Sequence, residues 1–423
     1  MNTSACATFT AHVGLDWADA KHDFCLQPGG GGKEQREFGS FLHRPDQIDA
    51  WVQGLQARFG GTISVALELA KGPIVYALQK YDFIVLFPVD PSLLAKYRVA
   101  FKPSRAKDDP TDAELALELM LRYPGHCPPL HPQSATMRRL GYLVQQRRVL
   151  VDDRKRTVNR LGYALKQYFP QALDWFEHRD TPLFCDFLTR WPTLQQVKRA
   201  RPATLERFFH DHHVRREHLV TERVEGVKTA MPLTEDAAVI QSFQLLATTL
   251  VEQLRVLLQA IVRFDAAIAA VVSQLPDYKL FDALPGSGPT LAPRLLAAFG
   301  EQRARFQNAG QVQRYSGIAP VTQRSGKKSW VHWRWQCPTF VRQTFVEWAA
   351  QTINKSFWAG AYYQQQRAKG CPHQVAVRAL AFKWIRILYR CWVTHTPYDE
   401  SRYLRALQLR GSPLLAGLST KTA

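Results

Sequence analysis

An α/β domain followed by a longer, mainly helical remainder is the architecture that this 423-residue sequence predicts. Three observations carry it. Short apolar runs of strand length fill the chain as far as Val89, periods of three and four residues dominate after Asp109, and the apolar fraction is 46%. At this length one hydrophobic core is rarely enough, so two or three domains are expected.

Residues 12 to 27 are strand-like, Gly29 to Gly32 make a flexible turn, and a second extended run passes through Phe38 and Phe41. Ile48, Trp51, Val52, Leu55 and Phe59 then form the apolar stripe of a helix that opens at Pro45. Residues 62–69 read as a buried strand, 73–81 as a helix, 83–89 as a buried strand and 109–123 as a helix. A three-strand meander feeding alternating helices and strands is the layout of the ribonuclease H-like nuclease fold. This domain is expected over residues 1–135.

Residues 137–168 form a long helical pattern whose apolar seam runs from Leu140 to Leu165, and 239–275 supply an antiparallel partner. The helical middle therefore spans 136–275, with a small helical insertion over about 170–231. At Leu284-Pro285-Gly286-Ser287-Gly288-Pro289 the texture changes to Trp, Tyr, Arg and Lys. A mainly helical C-terminal domain is placed at 276–400, and 401–423 as a tail.

Lys and Arg number 55 against 36 Asp and Glu, a net charge of +19. Such a field attracts polyanions and makes nucleic acid the first partner to consider. No run of about 18 apolar residues occurs, and no basic-then-apolar leader opens the chain, so a cytoplasmic protein with no membrane partner is expected. The seven cysteines are scattered with no Cys-x-x-Cys pair and read as reduced thiols. His210, His212, His213 and His218 read as a solvated helix end.

Asp16 closes the apolar run Val13-Gly14-Leu15, and Glu68 sits near the end of the strand at 62–69. Charges ending apolar strands are uncommon unless paired or metal-bound. Asp109 and Asp112, three apart in a first helical turn, share one face, although acidic residues also suit a helix N-terminus for its dipole alone. Four carboxylates from distant positions are the donor set a divalent cation, Mg²⁺ or Mn²⁺, requires.

These residues resemble the DEDD-type transposases of the bacterial one-ten insertion-sequence family, relatives of the pilin-gene inversion recombinase. The resemblance runs to about Glu400. Val13-Gly14-Leu15-Asp16, Val65-Ala66-Leu67-Glu68 and Lys107-Asp108-Asp109-Pro110-Thr111-Asp112-Ala113 are similar to the RuvC-like half of that family, which implies a metal-binding tetrad of Asp16, Glu68, Asp109 and Asp112. The Pro285 turn, Tyr315-Ser316-Gly317-Ile318-Ala319-Pro320 and Gln323-Arg324-Ser325-Gly326-Lys327 are similar to its transposase half, which implies Ser325 as the nucleophile on DNA. One departure is the turn Glu68-Leu69-Ala70-Lys71-Gly72, a residue longer than the Glu-Ala-Thr-Gly of many members.

Several surfaces suit nucleic acid. Arg147, Arg148, Arg154, Lys155 and Arg156 load the long helix. Gly286 and Gly288 resemble a helix-hairpin-helix turn, where backbone N–H groups meet phosphate. Arg324, Lys327 and Lys328 flank Ser325, and Trp333 and Arg334 interleave ring and cation. Arg378, Lys383, Arg386 and Arg390 follow one helical face. The resemblance further implies donor and target duplex DNA and a non-coding bridge RNA. Strand exchange needs several active sites at one synapse, so a dimer that becomes a tetramer is expected, and two halves so far apart in sequence allow a site composite between subunits. A metal-dependent structure-selective endonuclease or junction resolvase is the competing expectation, and an inactive nucleic-acid scaffold is the third.

Overall fold

The computed structural model of the chain describes residues 9–101, 109–326 and 328–415. It divides into two compact units, residues 1–132 and 133–423.

The first unit is built on a five-stranded sheet of order β3-β2-β1-β4-β5. The strands are β1 (Ala11–Asp16), β2 (Lys21–Pro28), β3 (Glu37–Leu42), β4 (Ile63–Leu67) and β5 (Ile84–Pro88). The first three run antiparallel, whereas β4 and β5 lie parallel to β1. The strand-like stretch 12–27 is thus two strands, broken where Asp19 and Ala20 turn the chain. The helices are α1 (Pro45–Phe59), α2 (Pro73–Leu78), α3 (Pro91–Phe101) and α4 (Asp109–Arg122). Helix α3 is not among the expected elements. Its signal was present, since Asp90 accepts the Ser92 N–H at 2.8 Å just before Pro91, a cap followed by proline.

Strand alternation sorts the core into two layers. Ile63, Val65 and Leu67 pack with Val13, Leu15 and the apolar stripes of α1 and α2. Ala66 and Cys25 face the other way, against Ala113, Leu117 and the α3 side chains Leu94 and Tyr97. The α4 layer meets small side chains on the sheet, and that governs how near the helix comes.

Glu118 fixes α4 from its outer end. Its carboxylate takes Arg36 at 2.9 Å, the Tyr97 hydroxyl at 3.2 Å and Lys33. Burial alone would raise its pKa, but Lys33 and Arg36 outweigh it and hold the group at about 2. That stability is present above the ordinary carboxylate pKa of 4.5 and is lost as pH falls toward 2. Glu118→Gln should cost about 1–2 kcal/mol at neutral pH, because Arg36 keeps Glu114 while Lys33 loses its carboxylate, and thermal melts should show the gap to wild type closing as pH falls below 4.5.

The second unit opens with α5 (Ala135–Tyr168). The insertion follows as α6 (Gln171–Trp175), α7 (Pro182–Arg190), α8 (Leu194–Lys198), α9 (Pro202–Asp211) and α10 (Glu217–Thr229), and then comes α11 (Ala237–Val272). Helices α5 and α11 pair antiparallel as expected. Val144 shares a core with Ile268, while Leu161 and Leu165 meet Leu250 and Leu254 in another, which the insertion caps.

The remainder comprises α12 (Tyr278–Asp282), α13 (Gly288–Phe299), α14 (Ala309–Tyr315), a hairpin of β6 (Val321–Ser325) and β7 (Lys328–His332), α15 (Thr339–Thr352), α16 (Phe357–Ala368), α17 (His373–Thr394) and α18 (Glu400–Leu409). Its core holds Trp348, Trp358, Trp384 and Trp392, all fully buried. Each indole N–H is satisfied: by the Pro285 and Gly300 carbonyls for Trp348 and Trp392, the Thr352 hydroxyl for Trp384 and the Tyr398 hydroxyl for Trp358. Buried tryptophan is stable on that condition.

Candidate active site

Parallel pairing sets Leu15 of β1 beside Leu67 of β4, so Asp16 and Glu68 follow at the same end of adjacent strands. Strand β4 stops at Leu67, one residue before Glu68, where the chain leaves the sheet toward Gly72 and Pro73. Asp16 and Glu68 each make contacts of their own.

Helix α4 brings the second pair. Its first turn carries Asp109, exposed, and Asp112, which is 3% exposed. A Cβ on Gly14 would lie 1.9 Å from the Ala113 carbonyl oxygen and 2.8 Å from the Leu117 backbone nitrogen. The glycine therefore lets α4 rest directly on β1, with Ala113 over the residue two before Asp16 and Asp112 next to it. Strand periodicity puts Gly14 and Asp16 on the same face of the sheet.

Arg98 of α3 occupies Asp112. Its Nε and Nη2 both contact Oδ1 of Asp112 at 2.6 Å. Among the described residues no three His, Cys, Asp or Glu side chains converge closely enough to hold a metal as they stand.

Asp23 is a carboxylate that sequence reasoning missed. It pairs across β1–β2 with Asp16, and residues directly opposite in an antiparallel pair point to the same face. Asp23 is 6% exposed and meets Lys21 at 3.0 Å. The signal lies only in the strand register, which no local pattern in the sequence reveals.

In the second unit Ser325 ends β6, opposite Lys328, at the tip of an exposed hairpin. Gly326 takes φ of 56° in the turn, a left-handed conformation that favours glycine. Arg324 and Lys328 flank the serine and are exposed, whereas Lys327 lies outside the described residues. Trp330 and Trp333 are 45% and 43% exposed, so these rings are not core residues.

The base of the hairpin is pinned. Arg378 donates to the carbonyls of Gly317 at 2.6 Å and Ile318 at 3.3 Å, and lies 3.5 Å over the Trp333 ring. Arg334 holds the Ala319 carbonyl at 3.3 Å. The Tyr315–Pro320 motif is thereby clamped beneath the strand that ends in Ser325. This corrects the expected face of α17. Arg378 turns to the hairpin, while Lys383, Arg386 and Arg390 line a separate cleft, because five helical residues rotate by about 140°.

The Gly286–Gly288 turn joins α12 to α13 as expected, with φ of 71° and 53°. On α5, Arg147 meets Asp265 at 2.5 Å, Arg148 meets Glu347 at 2.9 Å, Arg154 meets Asp180 at 3.4 Å and Arg156 meets Asp153. Lys155 is exposed and has no carboxylate within 4.0 Å among the described residues.

Comparison with known proteins bears on both units. Residues 13–170 match a DEDD transposase model of the IS110 group, and residues 278–364 match the model described as transposase, IS116/IS110/IS902 family. The chain is 29% identical over 415 residues to the mini-circle putative transposase for IS117 of Streptomyces coelicolor, covering 93% of this chain and 97% of that one. It is 28% identical over 211 residues to the putative transposase y4uE of Sinorhizobium fredii, covering 48% and 57%. It is also 25% identical over 335 residues to an uncharacterised 43.6 kDa protein of insertion element IS110, again from Streptomyces coelicolor, covering 75% and 78%. No helix among the described residues is long and apolar enough to cross a membrane. With a ribonuclease H-like sheet in the first unit and both halves matched, this chain belongs to the IS110 family of DEDD transposases, enzymes that act on DNA.

Proposed function

We propose that this transposase excises and inserts its element through Ser325, with a divalent metal held by Asp16, Glu68, Asp109 and Asp112. Two observations support the reading: in one unit an exposed serine on a clamped, cation-flanked hairpin, and in the other Asp16 and Glu68 at one end of adjacent strands with Asp112 and the exposed Asp109 in the first turn of α4. Hard carboxylate oxygens fit Mg²⁺ or Mn²⁺, and Arg98, which holds Oδ1 of Asp112, competes with a cation for that carboxylate. When bound, such a cation steadies charge on the transferring phosphoryl oxygens.

The Ser325 Oγ attacks the phosphorus, loses its proton and forms a phosphoserine ester, while the displaced sugar oxygen takes up a proton. Arg324 and Lys328 steady the phosphate charge. The ester conserves the energy of the broken bond, so strands rejoin without a nucleotide cofactor. Donor and target selection falls to a bridge RNA, which the charge of +19 accommodates beside DNA. Several strands are cut at one synapse, which calls for a dimer that joins into a tetramer.

Reactions with end-labelled element DNA, stopped in denaturant, test this. Wild type should retain DNA on the protein, and Ser325→Ala should retain none. A wild-type enzyme that cuts while leaving every DNA end free would overturn the serine step.

A further inference from the structure

We propose that the cleft between α17 and α18 is a dedicated phosphodiester-binding groove, separate from the hairpin that carries Ser325. The inference rests on the chain's action on DNA and not on the identity of the nucleophile. The cleft has a volume of about 600 Å³ and is lined by Lys383, Arg386 and Arg390 from one wall and Arg402 and Arg410 from the other. Among the described residues Asp399 is the sole carboxylate in its lining, and that group accepts the Arg402 backbone N–H at 3.1 Å as a helix cap.

These five cations converge on one cleft without a counter-charge, Lys383 lying 4.1 Å over the Tyr362 ring. Among the described residues none has a carboxylate within 4.0 Å, whereas Arg36, Arg98, Arg148, Arg294 and Arg303 are each matched. Like charges gathered in one cleft repel, and burial together with Arg386 and Lys369 lowers the pKa of Lys383. An arrangement that costs stability in the free protein is offset only when an anion arrives.

The ligand is polymeric by spacing. Lys383 to Arg390 spans about 10 Å of helix axis, which matches the rise of about three successive phosphates on one strand. Tyr403 also lines the cleft, whereas the Tyr398 hydroxyl is held between the Trp358 N–H and Glu400. DNA and RNA share this backbone chemistry, so the experiment carries an arm for each.

The full chain bearing Arg386→Ala, Arg390→Ala and Arg402→Ala is titrated against a labelled DNA duplex of random sequence and, separately, a labelled RNA hairpin. Anisotropy is read from about 50 to 200 mM salt. In the arm that uses the groove, affinity should fall at least tenfold, and the slope of log K against log salt should shrink by roughly 0.9 for each lost duplex contact or 0.7 for each single-strand contact. Loss with DNA alone assigns the groove to DNA, and loss with RNA alone assigns it to RNA. Changing the three residues to lysine should restore most of the slope, which a packing defect would not do. Should the triple alanine chain misfold, Arg402→Glu on exposed α18 carries the same test. Unchanged affinity and slope in both arms overturn the proposal.

Discussion

Gly14→Val should dislodge helix α4 from the sheet and drive strand transfer below detection. The obstruction is backbone: even a single Cβ at Gly14 would sit 1.9 Å from the Ala113 carbonyl oxygen and 2.8 Å from the Leu117 nitrogen. No rotamer change relieves such a clash, so the helix must retreat or the first unit must open. Overpacking of well-filled cores costs about 1–3 kcal/mol, and with two further methyl groups we expect about 4 kcal/mol or more. That corresponds to a fall of more than about 10 °C in the melting of the first unit. Gly54 is the internal control. It lies on the exposed face of α1 with nothing within 4 Å of a built Cβ, so Gly54→Ala should stabilise by about 1 kcal/mol. A Gly14→Val chain that melts and recombines like wild type would show that α4 need not rest on β1.

The same glycine shows where the sequence speaks and where it is silent. Val13-Gly14-Leu15-Asp16 announces a strand ending in a charge, because alternation and hydropathy are local. Nothing local says that Ala113 rests on Gly14, nor that Asp23 pairs with Asp16, since both follow from register. Strand β4 was legible in its apolar core but not in its end. Glu68 lies beyond the last ladder residue, in a turn whose geometry depends on Gly72 at φ of 138°. Ser325 was the least legible of all. Thr322, Gln323 and Arg324 carry no apolar alternation, so a fully exposed hairpin leaves no period to read. Family resemblance supplied that residue, and the fold then supplied its clamp in Arg378 and Arg334.

Charge was legible in amount and not in use. The five basic residues at 147–156 look like a nucleic-acid surface in sequence, yet Arg147, Arg148, Arg154 and Arg156 spend their guanidinium groups on carboxylates of the second unit. An ion-paired cation must first surrender that partner before it can displace counterions from DNA. Lys383, Arg386 and Arg390 were visible as one helical face, whereas Arg402 and Arg410 join them only because α18 folds back alongside α17.

Asp112→Asn should lower strand transfer by about three orders of magnitude, the rate equivalent of about 4 kcal/mol. Two roles compete to explain such a loss. Asp112 either donates to a divalent cation or serves to hold Arg98, whose Nε and Nη2 both lie 2.6 Å from its Oδ1. Calorimetric titration with Mn²⁺ separates them, because a guanidinium and a cation seek the same carboxylate. If Asp112 is a ligand, Arg98→Gln removes the competitor and should tighten Mn²⁺ by about tenfold, the worth of one charged hydrogen bond, while Asp112→Asn weakens it. The double variant should then stay as poor as Asp112→Asn alone. If the pair is only a strut between α3 and α4, the double variant recovers activity that the single one lost, because no unpaired cation remains in the fold. Mn²⁺ binding that is indifferent to Asp112→Asn would remove this carboxylate from the metal site, leaving Asp16, Glu68 and the neighbouring Asp23 as the group to probe next.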